Sequence, residues 1–409
     1  MLRRIWTTNL AALASVFFLS LQHPVFAQVQ PRITAPVDDS VRVAVRGSTP
    51  AIHGALDLGA IQDGTPLDHL LLILSMSDKQ QNEAITLLDS QQTRGSAHYH
   101  EWLTPEEFGL RFGPAPQDIK AITAWLGTQG LRINTIARSG LWIDFSGTAG
   151  QVKRAFGTSM HTYRVGNGNY IANAGEVSIP AALAPAIRGI ASLNNFYRRR
   201  PLHAGGVQVR QTASGTYEPI PGQTVAAGPN GPVNFLSPGD FAKIYDLNPL
   251  YQGNIAGRAL DGTGQSIAIV SRSDINLQDV ADFRSLFGLP AGTPSVINVG
   301  PDVPFNPQNG DAVEAALDVE WAGAVAPGAN IQMVVAGSTL TDGVDLSAAY
   351  IVDNDLAPIV SVSFGACERA LGPAANQFYS ALWQQAAAQG MSVFVASGDA
   401  GAAGCDQPT

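Results

Sequence analysis

Gln265-Ser266-Ile267-Ala268-Ile269-Val270 opens the half of the sequence from which the fold is read. It is a short apolar run, the pattern of a strand buried on both faces. From there the two kinds of element alternate: helix over 281–287, strand over 295–299, a long helix over 312–325 and strand over 331–336. Helix follows over 344–353, strand over 359–363, helix over 374–389 and strand over 393–396. Apolar strands separated by helices predict a parallel sheet covered on both faces, with its site in the crevice at the carboxyl ends of the strands. The sequence stops at Thr409, just past a strand. The sheet is therefore expected to be incomplete.

Upstream the rhythm differs. Strand character over 68–74 is followed by a helix over 80–92, with Ile85, Leu87 and Leu88 at helical spacing. A second helix over 117–129 gathers Ile119, Ile122, Trp125 and Leu126 on one face and ends at Gly130. Strand 141–145, helix 151–156 and strand 160–165 come next, and a small α+β sandwich with a half-exposed sheet is the simplest fit. The basic run Arg198-Arg199-Arg200 then leads into residues 201–233, rich in Gly, Pro, Ala, Thr and Gln and without periodicity. That segment reads as an exposed linker, either a plain spacer or, since unpacked segments are where proteases cut, a processing region.

The 409 residues are too many for one ordinary domain, and 45% apolar with 14% charged residues is the composition of a globular chain. A net charge of −9, with Lys79, Lys120, Lys153 and Lys243 as the only lysines, leaves no electrostatic footprint for nucleic acid or anionic lipid. Arg3 and Arg4, an apolar run over 10–21 and Val25-Phe26-Ala27 before Gln28 read as a cleavable export signal. The apolar run is shorter than the ~20 residues of a membrane span. Secretion, to the exterior or the periplasm, is expected, with no membrane partner. In an oxidising compartment Cys367 and Cys405, the only cysteines, are expected to form a disulfide. Closing their loop of about 38 residues would contribute about 3–4 kcal/mol. A reactive thiol is the other possibility, without a histidine nearby in sequence to support it.

Glu314 and Asp318 stand four residues apart on the long helix, so both project from one face and can share a proton at acidic pH. Such a pair is ordinarily a solvated helix face. Here Ala312, Val313, Ala315, Ala316 and Leu317 surround it, so the helix is expected to be buried and its acids to need a reason. Asp399, in Ala396-Ser397-Gly398-Asp399, follows the last strand at the position where an open α/β sheet presents its site. Alone it would be an ordinary turn aspartate. All seven histidines lie at or before His203, so a Ser-His-Asp triad has no base among the strands and helices that follow. His98 and His100 beside Glu101 suggest a metal site, but two histidines two residues apart with no third ligand read as packing or surface residues. No metal ligand is assigned. Gly157-Thr158-Ser159 imitates a subtilisin-type nucleophile, yet it precedes the carboxylates and leads into a strand rather than heading a buried helix.

Taken together, these segments resemble the sedolisin, or serine-carboxyl, peptidase precursors. His100-Glu101-Trp102-Leu103-Thr104-Pro105-Glu106-Glu107-Phe108 is similar to the hallmark of that family's activation prodomain. Leu236-Ser237-Pro238 through Ile244-Tyr245-Asp246-Leu247 resembles the start of its mature enzyme, and Ala324-Val325-Ala326-Pro327-Gly328-Ala329 the segment after its acid pair. The resemblance implies a signal peptide over 1–27, an activation prodomain over 28–200 of ferredoxin-like, two-layer α+β fold, a linker or processing region over 201–235, and over 236–409 the first part of a subtilisin-like α/β peptidase domain. It casts Glu314 as general base, Asp318 as its supporting acid and Asp399 as oxyanion donor, with Ser363 and Gly365, in Ser361-Val362-Ser363-Phe364-Gly365, lining the substrate cleft. Proteins or peptides would be the substrates, and the prodomain an intramolecular inhibitor and chaperone.

The family's nucleophile lies in a Gly-Thr-Ser segment downstream of the oxyanion aspartate, and its calcium ligands near the C-terminus; neither is present in these residues. The chain alone is therefore expected to be inactive, with calcium implied but without ligands here. The competing reading is a non-catalytic secreted protein whose prodomain-like half is a folding or inhibitory binding module.

Overall fold

The computed structural model describes residues 29–50, 54–196, 236–253, 260–306 and 309–398, with 198, 401 and short strand pieces between 200 and 233. The export signal, Asp399 and Cys405 lie outside the described residues.

The first half is built on strand β1 (Pro66–Leu74), followed by helices α1 (Asp78–Gln92), α2 (Pro105–Phe112) and α3 (Pro116–Thr128). Strands β2 (Arg132–Ile136) and β3 (Trp142–Thr148), helix α4 (Ala149–Phe156) and strand β4 (Ile187–Ile190) complete it. The strands form an antiparallel sheet in the order β2-β3-β1-β4. Leu56–Ala60, Met160–Val165 and Gly168–Asn173 make a separate three-stranded antiparallel sheet. Local chemistry sets the helix starts: Ser77 with Gln80, Thr104 with Glu107 and Thr148 with Gln151 each close a reciprocal capping box that satisfies two otherwise orphaned N–H groups. Gly157 ends α4 in the left-handed region, φ 66°, where a side chain would be strained.

Alternate residues of β1 serve two different cores. Leu70, Leu72 and Leu74 pack with Ile143 and Phe145 of β3 against Ile122, Trp125 and Leu126 of α3 and Val152 and Phe156 of α4. Leu71 and Ile73, with Trp142, point the other way and are buried just as completely, within a core supplied by the second half of the chain. The half-exposed sheet expected from sequence is thereby corrected: both faces are covered, the second one by the following unit.

That unit contains strand β5 (Ser266–Ser271), helix α5 (Leu277–Leu286), strand β6 (Ser295–Asn298), helix α6 (Gly310–Val325) and strand β7 (Asn330–Val335). Helix α7 (Gly343–Asp353), strands β8 (Ile359–Val362) and β9 (Phe364–Gly365), helix α8 (Glu368–Ala388) and strand β10 (Ser392–Val395) follow. Every pairing in the five-stranded sheet β6-β7-β5-β8-β10 is parallel. Helices α5 and α6 cover one face through Val280, Ala315 and Val319. Helices α7 and α8 cover the other through Val344, Ala348, Phe378 and Leu382, which share one apolar core with Leu71 and Ile73 of the first half. Helix α8 is kinked at Gly372, φ 77°, followed by Pro373, so its regular part begins where the sequence pattern places a helix start. At the outer strand β10, Phe394 is 64% and Val395 51% exposed.

Candidate active site

Parallel topology places the carboxyl ends of β5, β7, β8 and β10 along one edge, and the loops leaving that edge carry the polar residues of interest. Helix α6 begins here. Asn309 caps it by accepting from the Asp311 N–H, and its buried stripe of Ala312, Ala315 and Val319 faces the sheet. Glu314, only 2% exposed, is buried together with that stripe. Asp318, one turn on, accepts a 2.6 Å hydrogen bond at Oδ1 from Ser363 Oγ, at the break between β8 and β9. The helix acid is thus tied to the end of strand β8. Not every apolar neighbour expected to bury the pair does so, since Val313 is 38% exposed.

Gly365, the other residue expected to line a cleft, is paired. The short strand Arg200–Pro201 runs antiparallel to β9, with Arg200 opposite Gly365 and Pro201 opposite Phe364. A piece of the chain therefore lies along β9 as an added strand, the way an extended peptide augments a sheet edge. For Asp399 the structure gives only the approach. The Ala396 N–H donates to Val362 O at 2.9 Å, and Gly398 turns with φ 88°, a conformation glycine adopts without strain. Asp399 itself, and the pairing of Cys367 with Cys405, fall outside the described residues.

One charged group at this edge escaped the sequence reading. Arg272, directly after β5, grips Asp311 at the start of α6 through Nε and Nη2, at 2.8 and 2.9 Å, and reaches Asp342, the N-cap of α7, through Nη1 at 2.8 Å. All three side chains are largely buried. A second missed charged residue is Glu320, half-buried on α6. Burial first, and then the negative charge of Asp279, pushes its carboxyl up to about 8. The only sequence signal for either was a charge next to an apolar element.

The other candidates resolve into local structure. His98 pairs with Glu101 at 3.0 Å on the surface, and the His100 ring stacks between Tyr99 and Trp102. Among the described residues no group of three or more His, Cys, Asp or Glu is placed to hold a metal ion. Thr158, in the imitation nucleophile motif, is buried and donates to Gly175 O at 2.9 Å, which makes it part of a turn. No helix of the described residues is long and apolar enough to cross a membrane.

Comparison with known proteins adds an independent line. The profile of the pro-kumamolisin activation domain matches residues 53–196. Xanthomonalisin of Xanthomonas sp. (strain T-22) is 28% identical over 369 residues, covering 86% of this chain and 42% of the relative. Kumamolisin of Bacillus sp. (strain MN-32) is 27% identical over 346 residues, covering 83% of this chain and 59% of its own. Sedolisin of Pseudomonas sp. (strain 101) is 25% identical over 346 residues, at 83% and 55% coverage. The chain spans about half the length of these curated relatives.

Proposed function

We propose, from the premise that this chain belongs to the sedolisin family of serine-carboxyl peptidase precursors, that it supplies the activation domain and the acid half of a peptidase site. Glu314 is the general base that removes the proton of a serine hydroxyl as it attacks the peptide carbonyl, and Asp318 orients that base. Asp399, held neutral, donates a hydrogen bond to the oxyanion of the tetrahedral intermediate. A carboxyl donates only when protonated, whereas the base must be ionised, so the site works in an acid window between the two macroscopic titrations. The observation that carries the reading is the burial of Glu314 one turn from an Asp318 hydrogen-bonded to Ser363 at the strand edge.

The finer domain readings are part of the same proposal. Sheet order β2-β3-β1-β4, with helices after β1 and β3, supports a ferredoxin-like activation domain, and the parallel five-stranded sheet supports a subtilisin-like peptidase domain. Arg200–Pro201 along β9 supports an inhibitory role for the first half, because a strand already paired there denies that edge to substrate. Secretion, the Cys367–Cys405 disulfide and a calcium requirement are carried as proposals, calcium with no ligand assigned in this chain.

The test is peptide hydrolysis from about pH 3 to about pH 7 by the product of a reading frame that includes a Gly-Thr-Ser nucleophile segment. Activity should peak in acid, and Glu314→Gln should lower kcat by about 10²- to 10⁴-fold. A profile peaking near neutrality, or an unaffected Glu314→Gln variant, would count against the assignment.

A further inference from the structure

Helices α7 and α8 each follow a parallel strand and run back against it, so their C-terminal ends lie at the amino edge of the sheet, opposite the acid cleft. The last carbonyls of a helix have no partner within it and carry the negative end of its dipole. Here residues of the first half meet both ends. The Leu103 N–H donates to Ala388 O at the end of α8 at 2.9 Å, and Gln91 Nε2 donates to the same carbonyl at 3.0 Å. Gln91 also holds the loop that bears Leu103, by donating to Glu101 O at 2.6 Å. Just past the helix, Gly390 turns with φ 79° beneath the indole of Trp102; a Cβ there would come within 2.6 Å of the ring.

The end of α7 is gripped in parallel. The Arg138 N–H donates to both carboxylate oxygens of Asp353, at 2.8 and 3.1 Å, while its guanidinium donates to Asn354 Oδ1 at 2.9 Å, placing a cation beside the negative end of the helix. Gln389 Nε2 donates to Val352 O at 2.8 Å and joins the two helix ends.

We infer that Trp102, Leu103, Gln91 and Arg138 form a docking anchor by which the activation domain holds the C-terminal ends of α7 and α8, on the far side of the sheet from the cleft. The His-Glu-Trp-Leu-Thr stretch then recognises a helix end; it is not a metal or catalytic motif. Because the anchor and the Arg200–Pro201 strand sit at opposite edges, cutting the connecting chain leaves the anchor intact, and the severed domain stays bound. Gln91 is fully buried in this contact, whereas Trp102 is 39% and the Arg138 side chain 45% exposed. The inference concerns the activation domain named above, and its test reads no activity, so its failure and that of the peptidase reading are distinguishable.

Hydrogen exchange on the intact chain is the first measurement. Trp102→Ala should speed exchange of the Gln389, Gly390 and Met391 amides by at least about 10-fold and leave those of β5 unchanged. Faster exchange confined to α1 and β1 would mean that Trp102 serves only its own domain, and would overturn the anchor. In the second measurement a site-specific protease sequence is inserted between Gly205 and Gly206, the folded chain is cut, and the pieces are followed by gel filtration over a dilution series. The wild-type pieces should co-elute, and Trp102→Ala or Arg138→Ala should raise the concentration at which they separate by at least about 10-fold. Wild-type pieces that separate as readily as the variants' refute the proposal. Gly390→Ala should weaken association strongly when introduced into the wild-type chain but much less when added to the Trp102→Ala variant; additive effects would show that the two residues do not form one contact.

Discussion

The Arg272 guanidinium lies over the Phe364 ring, 5.1 Å from its centroid, so a cation clamped between Asp311 and Asp342 also rests on the strand along which Arg200–Pro201 runs. One side chain ties the start of α6, the start of α7 and β9 together at the edge that bears Glu314. Removing it takes this counter-charge away from two largely buried carboxylates. Arg272→Met should therefore cost about 3–5 kcal/mol of unfolding free energy, read from urea melts, and Arg272→Lys should recover only part of it, because an ammonium cannot reproduce the fork to Asp311.

Ser363→Ala deletes the hydroxyl that donates to Asp318. Losing the donor to a partly buried acceptor costs about 1–3 kcal/mol, and the variant should lose a stability of that order in urea melts. Ser363→Thr, which keeps the donor, should lose less. A Ser363→Ala protein as stable as the wild type would mean that this bond does not hold α6 to the strand.

Glu320 gives a pH-dependent prediction with a definite sign. Its folded carboxyl titrates near 8, above the unfolded value of 4.5, so folding favours the protonated form. The associated stability is fully present below the unfolded value and is lost as pH rises through the folded one. Wild-type stability should fall between about pH 4.5 and about pH 8 by on the order of a few kcal/mol, and Glu320→Gln should flatten that slope and be the more stable protein at the alkaline end. Urea midpoints across the range provide the measurement.

β10 is the outer strand of the parallel sheet, with Phe394 64% and Val395 51% exposed. An apolar strand edge open to solvent pairs with other chains, and a lysine on such an edge suppresses it. Phe394→Lys should therefore raise the soluble fraction of the 409-residue chain and lower its light scattering, with little effect on the unfolding midpoint. Equal scattering by both proteins would place the aggregating surface elsewhere.

The element order of the second half was legible because continuous apolar strands and helices alternate there without ambiguity, and because Gly372-Pro373 punctuates α8 in sequence as well as in space. In the first half the signal was present but read too weakly. Leu70-Leu71-Leu72-Ile73-Leu74 is apolar at every position, the mark of a strand covered on both faces, while a half-exposed sheet would have alternated. What covers Leu71 and Ile73 could not be read locally, since the following unit's part of that core lies hundreds of residues away. The same distance hid the Arg272 cluster, whose members come from three separate segments. Spacing alone placed Glu314 and Asp318 on one helix face, but it could not tell that Ser363 would meet the second acid and not the first. Nor does any pattern in residues 198–201 announce that the chain returns to lie along Phe364 and Gly365.

That return has a kinetic meaning. Arg200–Pro201 is tethered to the strand it covers, so under the proposed peptidase reading an incoming peptide would compete with a rival whose effective concentration is in the ~mM range however dilute the protein becomes. Dilution cannot relieve such self-occupancy, and a weakly bound free peptide cannot outcompete it. Severing the connecting chain is not enough while the anchor at the opposite edge holds; the rival becomes an ordinary ligand when the anchored domain is released as well.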